Sequence, residues 1–224
     1  MAAGSSESTR YHEALEILCQ TYWYPLYAYL RRQGYDSHQA EDHVQAFLAG
    51  ILEKQGLRLV DPQLGRFRSY LLGALKHFLA DERDRERTQK RGGGKSFLSL
   101  DFASGETQYE LDPVDELSPE KLFEKSWALT VLQRTMQRLE DESANMQGNE
   151  VFQDLVTYLA PASDTVPYRD MGTRLNMTEG AVKAAVYRLR LRYRELLQNE
   201  ISKTVSSEEQ IQEELRDLFT ALSF

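Results

Sequence analysis

Apolar residues recur at steps of three and four along almost every segment of this chain, and that spacing limits its fold more than any other feature. The first run, residues 11–33, places these apolar residues on one helical face: Leu15, Leu18, Cys19, Tyr22, Leu26 and Tyr29. Similar stripes cross residues 40–51, 67–79, 122–139 and 151–159. A period near 3.6 is typical of a helix with one buried face, whereas a half-buried strand needs strict alternation. Because no such alternation of useful length occurs, the chain is predicted to be all-α.

Helix-breaking residues divide these stripes. Gly34 and Tyr35 end the first stripe, and Asp36 or Ser37 can cap the next helix. Proline lacks the N–H that a helix interior needs, so Pro25 is expected to kink the first helix or to start a second one. Three consecutive glycines, residues 92–94, end the third stripe, and the segment after them shows no clear periodicity. That segment is predicted to be a linker.

A chain of 224 residues is long enough for two small domains that each bury a core. The predicted organisation, in chain order, is a disordered N-terminus (1–10), a first helical domain (11–93), a flexible linker (94–119), a second helical domain (120–203) and an acidic, amphipathic C-terminal extension (204–224). The extension carries apolar residues at helical spacing: Ile211, Leu215, Leu218, Phe219 and Leu222. It either folds over a basic surface or binds a regulator, or it extends a domain core.

Composition narrows the class of protein. Hydrophobic residues make up 41% of the chain and charged residues 28%, the balance of a folded globular protein. The single cysteine, Cys19, cannot form an internal disulfide, so a reducing cytoplasm is expected. The N-terminus lacks the apolar stretch of a signal peptide, and no run of about eighteen apolar residues occurs. No membrane insertion is expected.

The distribution of charge matters more than its sum. A net charge of −8 opposes phosphate binding by the chain as a whole. Basic side chains nevertheless concentrate in residues 76–95 and 183–194, whereas acids gather in residues 101–124 and 208–217. This separation favours two DNA-facing surfaces, although a solvated helix face has the same composition.

Residues 168–194 predict a helix-turn-helix. Gly172 is small enough for a close helix approach, and Met171 and Leu175 face inward. Asn176 and Met177 form the turn, because asparagine tolerates the left-handed conformation that such a corner needs. Thr178 can then cap the second helix by accepting from a backbone N–H.

The second helix of this motif divides into two faces. Apolar residues line one face at helical spacing: Val182, Val186, Leu189 and Tyr193. Polar and basic residues lie elsewhere: Lys183, Tyr187, Arg188, Arg190 and Arg194. A recognition helix needs an apolar back and a front of hydrogen-bond donors for base edges and phosphates. A basic surface helix of an ordinary bundle is the alternative.

Three segments of the first half, residues 40–48, 67–71 and 76–81, resemble region two of bacterial RNA polymerase sigma factors. The resemblance is to the extracytoplasmic-function group, which has only sigma domains two and four, and the helix-turn-helix resembles region four. It covers roughly residues 10–92 and 120–200. A weaker part extends to residues 112–127 and the acidic tail, which look like a subgroup with a C-terminal extension. The resemblance implies a sigma factor that directs core RNA polymerase to promoter DNA and initiates transcription.

The resemblance also implies three sets of contacts. Core polymerase would be bound by Glu41, Asp42 and Gln45. The minus-ten element would be bound by Tyr70, Lys76, His77, Asp81, Arg83 and Arg87. The minus-thirty-five element would be bound by Thr178, Glu179, Lys183, Tyr187, Arg188 and Arg190, with Lys183 and Arg188 as base readers or phosphate anchors.

Alternatives to these contacts remain. The first set also fits an ordinary exposed helix face, and Tyr70 and Phe78 also fit a buried core, which is favoured for Phe78. The family usually has asparagine where this chain has His77, and commonly tryptophan where it has Tyr70. The preferred minus-ten sequence therefore does not carry over.

Other functions stay open. A transcriptional regulator could act on duplex DNA through the helix-turn-helix without replacing the sigma subunit. An anti-sigma or adaptor protein could bind polymerase or a sigma factor but not DNA. An enzyme is least favoured, because the four histidines (His12, His38, His43 and His77) lack metal-ligand spacing and Gly92–Gly94 lacks the context of a phosphate loop. No catalytic residue, metal or cofactor is expected. A monomer is expected, and regulation by an anti-sigma factor, a kinase or the tail is left undecided.

Overall fold

The computed structural model describes residues 3–53, 66–88, 100–111, 117–145, 149–159, 166–205 and 207–223. Within these ranges all regular structure is helical and no strand occurs, which confirms the all-α prediction. The helices in chain order are α1 (Ala3–Arg32), α2 (Ser37–Glu53), α3 (Phe67–Thr88), α4 (Phe102–Leu111), α5 (Pro119–Asn145), α6 (Asn149–Val156), α7 (Tyr168–Leu175), α8 (Glu179–Ser202) and α9 (Glu208–Ala221). None of these has the length and apolar character that crossing a membrane requires. The helix end predicted at Gly92–Gly94 lies outside the described residues.

The helices form two compact units. Unit 1 comprises Met1–Thr130 and Thr204–Phe224, and unit 2 comprises Val131–Lys203. The first boundary lies inside α5, and α9 belongs to unit 1. The sequence instead predicts a second domain from residue 120 and a separate tail. The difference has a physical cause in the contacts of Arg68, given below.

Helix α1 is buried throughout residues 24–30, and it packs against α2 and α4. Leu26, Ala28 and Leu30 have no exposed surface, and Tyr27 and Tyr29 have almost none. The helix continues through Pro25, so this proline does not start a second helix. Burial on all sides offsets the cost of an internal proline, about 3 kcal/mol.

Two predictions about flexible segments are wrong. The N-terminus, predicted to be disordered over residues 1–10, is helical from Ala3 onward. Extending an existing helix fixes only one residue for each hydrogen bond gained, so polar residues can join it. The predicted linker, residues 94–119, contains α4, which packs on α1.

Helix α4 meets α1 through polar contacts of Glu106 and a close approach at Gly105. Glu106 accepts a hydrogen bond from the Tyr27 hydroxyl at 2.5 Å and two from the Arg31 guanidinium at 2.9 and 2.7 Å. Burial, and then the bond to Glu106, raises the pKa of Tyr27. Gly105 is buried against α1. Because these contacts need no apolar stripe, periodicity in the sequence does not reveal α4.

Arg68, at the start of α3, joins α3 to α5 and α9. Its guanidinium donates to Glu124 at 2.6 Å and to Asp217 at 2.5 Å, and it also pairs with Glu214. It lies 4.3 Å from the centre of the Trp127 ring. Burial lowers the pKa of Arg68, although the charge of Glu124 opposes this. A buried cation needs such partners, and they place the start of α5 and all of α9 in unit 1.

Helix α9 adds to the core of unit 1. Leu218 and Ala221 are buried, as is the carboxylate-bearing Glu214. Because α9 is grouped with unit 1, the tail extends the core of that unit. Phe219, predicted on the apolar face, is 58% exposed. At about 100° per residue it points well away from Leu218 and from the core.

Unit 2 is built on α8, against which α6 and α7 pack. Glu200, 7% exposed, lies among cations of the same unit. It accepts from Arg138 at 2.7 Å and from Lys203 at 2.8 Å. Burial by itself would raise the pKa of Glu200, but the bonds to Lys203 and Arg138 outweigh it and leave that pKa lowered. The buried charge is thus stabilised by its partners.

Replacing Gly105 with alanine should destabilise the chain by about 1–3 kcal/mol, because an added Cβ would lie 2.8 Å from ring atoms of Trp23. Gly73→Ala is the matched control: nothing lies within 4 Å of that Cβ, so alanine should stabilise α3 by about 0.5–1 kcal/mol. Urea unfolding followed by circular dichroism measures both. Equal stability of the two variants would contradict the packing of α4 on α1.

Glu200→Gln should cost stability only where the carboxylate is ionised. Because the folded-state pKa of Glu200 is lowered from 4.5, its contribution is fully present above that value and disappears as the pH falls through the lowered pKa. Urea unfolding of wild type and variant between pH 3 and 7 should show two stabilities that converge at the acid end. Exposed Glu195→Gln is the control. A difference independent of pH would contradict the assignment.

Candidate nucleic-acid interface

The corner between α7 and α8 has the predicted local structure. Asn176 adopts the left-handed conformation, with φ 53° and ψ 43°. The Met177 N–H donates to the Gly172 carbonyl at 2.8 Å, which closes the C-terminus of α7. The Thr178 hydroxyl accepts from the Ala181 N–H at 3.2 Å and caps α8. The predictions for Asn176 and Thr178 are confirmed.

A small core fixes this corner to the rest of unit 2. Its buried members are Leu155, Tyr158, Met171, Val182 and Val186. Leu175 and Met177 pack against them and are partly buried. A Cβ on Gly172 would lie 2.7 Å from the carbonyl oxygen of Met177. The predicted close approach at Gly172 is therefore confirmed, and the angle between α7 and α8 depends on it.

The outward face of α8 combines small, basic and apolar residues. Exposed side chains on this face are Lys183, Ala184, Tyr187, Arg188, Leu191 and Arg194. Tyr187 is 69% exposed and Leu191 46% exposed, one helical turn apart. Gly180 and Ala184 leave room for close approach along the same side. A helix with this outline can enter a DNA major groove. Sequence reasoning missed Leu191, although its spacing of four from Tyr187 is a usable signal.

The cations of this face differ in what they bind. Lys183 pairs with Glu179 at 2.6 Å, and this hydrogen bond raises the pKa of Lys183 and lowers that of Glu179. Arg188 and Arg194 are exposed, and none of the described residues pairs with them. Incoming phosphate would have to compete with Glu179 for Lys183. Phosphate can bind Arg188 and Arg194 without competing with a described carboxylate.

Two other basic residues of α8 bind groups within unit 2. Arg190 donates to the backbone carbonyl of Tyr158 at 3.2 and 2.8 Å, just beyond the end of α6. Arg192 pairs with Glu142 at 2.7 Å and with Glu195 at 2.8 Å. The structure thus uses Arg190, a predicted minus-thirty-five contact, to hold α6 against α8.

Most of the predicted minus-ten residues lie along α3 in two stripes. At about 100° per residue, Tyr70, His77 and Asp81 share one stripe opposite the core. Tyr70 is 42% exposed, so it is not a core residue, and His77 and Asp81 are exposed as well. Phe78 instead packs against the Phe47 ring, with centroids 5.6 Å apart, as favoured from the sequence. The side chain of Arg87, on the last turn of α3, lies outside the described residues.

Lys76 and Arg83 form the second stripe, and both have partners in unit 1. Lys76 bonds Glu120 at 2.8 Å, which raises the pKa of Lys76. Arg83 donates to the Tyr35 hydroxyl at 2.8 Å and lies 5.9 Å from the centre of its ring. These two cations are exposed but already bonded, in contrast to Arg188 of α8.

The predicted polymerase contacts share α2. Asp42 is exposed, and Glu41 and Gln45 are half-buried. Gln45 donates to Glu41 at 3.3 Å, so these two form a pair one turn apart. Asp36 caps the helix by accepting from the Gln39 N–H at 2.8 Å. The cap predicted for Asp36 or Ser37 is therefore made by Asp36.

Within the part of the chain that the structure describes, no three His, Cys, Asp or Glu side chains are grouped as metal ligands would be. Comparisons with protein-family models, with curated proteins and with solved structures gave no match. The interpretation of both surfaces consequently depends on their own geometry and charge.

Gly172→Ala should destabilise the α7–α8 corner by about 1–3 kcal/mol, because its Cβ would meet the Met177 carbonyl, and backbone cannot move aside cheaply. Gly180→Ala is the control, with nothing within 4 Å of the added atom. That change should be neutral or stabilising by up to about 1 kcal/mol. Thermal unfolding measures both. A stable Gly172→Ala chain would mean that α7 and α8 are farther apart than described.

Proposed function

We propose that this chain is a sigma factor that brings core RNA polymerase to promoter DNA in the cytoplasm and initiates transcription. The observation that carries the proposal is the α7–α8 corner, which presents an exposed basic face of α8 on a fixed apolar back. Val182 and Val186 are buried on that back, and Arg188 is exposed on the front. This division is what a recognition helix in a major groove needs.

Unit 1 supports the second half of the proposal. An exposed aromatic, Tyr70, lies on the same stripe of α3 as His77, and Lys76 and Arg83 form the second stripe of the same helix. Unpaired bases are held by stacking on aromatic rings together with phosphate contacts from cations. On α2, exposed Asp42 beside Glu41 and Gln45 offers a charged surface suited to a reversible protein interface. Unit 1 would thus bind polymerase and the minus-ten element.

The mechanism requires binding energy and no covalent step. The protein would bind single-stranded bases and phosphates more tightly than the same bases in duplex, and this differential affinity would shift the promoter toward the open form. Unit 2 would hold the minus-thirty-five element as duplex. Neither a catalytic residue nor a cofactor has a part in this scheme.

One observation favours a second function, a regulator that acts on duplex DNA without replacing the sigma subunit. Both cations of the second α3 stripe are bonded within unit 1, Lys76 to Glu120 and Arg83 to Tyr35. Arg188 of α8 is not paired with any described residue. Duplex binding by unit 2 alone would use the freer of the two surfaces.

In vitro transcription separates the two functions. Purified core polymerase is incubated with a library of promoter fragments, with and without this protein. Specific transcripts that start only in its presence support the sigma function. If the protein binds duplex DNA but does not affect core polymerase, the regulator function replaces the sigma function. Tyr70→Ala, compared with exposed Gln108→Ala, should reduce transcription without reducing duplex binding.

Arg188→Ala should weaken binding to a selected duplex by about tenfold to a hundredfold if Arg188 reads a base, which corresponds to roughly 1–3 kcal/mol. If it anchors a phosphate, binding should weaken equally on all sequences and the salt slope should fall by about one. Titrations at several salt concentrations, on selected and scrambled duplexes, measure this. Arg216→Ala, an exposed arginine on α9, is the matched control. Unchanged binding by Arg188→Ala would exclude α8 as the reading helix.

A further inference from the structure

The Arg68 cluster joins parts of the chain that are distant in sequence. We define it as Arg66, Arg68, Glu124, Trp127, Glu214 and Asp217. Arg68 and Glu214 each have side chains only 3% exposed. Their ion pair is buried, and Arg66 adds a second cation at the edge, 3.5 Å from Glu214.

Carboxylates outnumber cations in the cluster only when α9 is present. Two arginines face three carboxylates, of which Glu214 and Asp217 come from α9 and Glu124 comes from α5. Removing the α9 carboxylates would leave Arg66 and Arg68 with Glu124 alone. A buried guanidinium that loses a partner is strongly destabilised, so α9 and the start of α5 stabilise each other through Arg68.

The path of the chain gives this cluster a second role. The chain passes from unit 1 to unit 2 between residues 130 and 131, inside α5, and returns between residues 203 and 204. Glu124 and Trp127 precede the first crossing by one or two helical turns. Glu214 follows the second crossing on α9, after a short connection. Both crossings are therefore anchored to unit 1 at the same guanidinium.

We propose that the Arg68 cluster is a clasp that sets how freely unit 2 moves with respect to unit 1. With α9 docked, two covalent crossings hold unit 2. Only six Cα–Cα steps separate the last residue of α8 from the first of α9, a span of at most about 20 Å. With α9 released, that crossing no longer restrains unit 2, and α5 loses part of its own anchor. This inference is independent of what either unit binds.

The distance between units can be followed in the full-length chain. Gln108 on α4 and Gln153 on α6 are exposed, lie in different units, and take part in neither candidate surface. Cysteines at these two positions would carry a donor and an acceptor dye for single-molecule energy transfer. The parent chain reports any labelling of the native Cys19, which is buried. Hydrogen exchange on the same variants reports the protection of α9 and of the start of α5.

Glu214→Lys and Glu213→Lys are a matched pair on α9. Both make the same change in charge at adjacent positions, but Glu214 is buried against Arg68 and Glu213 is exposed. Glu214→Lys should broaden the distance distribution and accelerate exchange of α9 and of residues 121–130 by about tenfold or more. Glu213→Lys should leave both readouts at the wild-type values.

Asp217→Asn is the milder variant should Glu214→Lys prevent unit 1 from folding. It removes one charge from the cluster at a side chain that is 29% exposed, so unit 1 should stay folded. The clasp predicts that Asp217→Asn broadens the distance distribution and accelerates exchange in the same segments, but by less than Glu214→Lys. If α9 exchanges faster in a folded variant while the distance distribution and the protection of residues 121–130 stay unchanged, the clasp is overturned. DNA and polymerase are absent throughout, so this result cannot be confused with failure of the proposed function.

Discussion

Burial of one guanidinium organises unit 1. Arg68 could not remain charged at 3% exposure without carboxylates around it, and these come from two helices that are far from it in the chain. Glu124 brings the start of α5, and Glu214 and Asp217 bring α9. The Trp127 ring covers the remaining face of the guanidinium. The start of α5 and α9 therefore meet in unit 1 at this guanidinium, and the burial of Leu218 and Ala221 adds apolar contacts to the same unit.

Unit 2 depends on backbone geometry instead. The left-handed Asn176 and the contact between Gly172 and the Met177 carbonyl fix the corner, and the Thr178 cap starts α8. Because Val182 and Val186 must be buried below, the opposite side of α8 must face outward. The exposure of Tyr187 and Arg188 is thus a consequence of how the corner packs, and it makes the face available to a ligand.

The two candidate surfaces differ in how their cations are used. On α8, Lys183 forms an ion pair with Glu179, whereas Arg188 has no partner among the described residues. On α3, Lys76 and Arg83 are already bonded within unit 1. Exposed ion pairs such as those of Lys183 and Lys76 contribute little to stability, so a phosphate can displace their carboxylates at small cost. Binding to either surface should consequently be sensitive to salt, as expected when phosphates are the ligand.

The helical class and the local structure of the α7–α8 corner could be predicted from the sequence. Both depend on short-range rules: apolar spacing for the helices, and the conformational tolerance of Asn176 and the capping oxygen of Thr178 for the corner. The same rules placed the candidate residues of α3 and α8 on their helices. They could not say which of these residues stay free, because Arg190 and Lys76 find partners that are distant in sequence.

The positions of α4 and α9 depend on contacts between residues that are distant in the chain. Helix α4 lacks an apolar stripe, and it is held by the contacts of Glu106 with Tyr27 and Arg31, 79 and 75 residues away. Helix α9 meets α3 through the pair between Arg68 and Glu214, and nothing near either residue in the sequence indicates the other. Short-range patterns reveal where a helix forms because its hydrogen bonds are local. Charge pairing in a buried site is not local, and only the folded chain shows which carboxylate meets which cation.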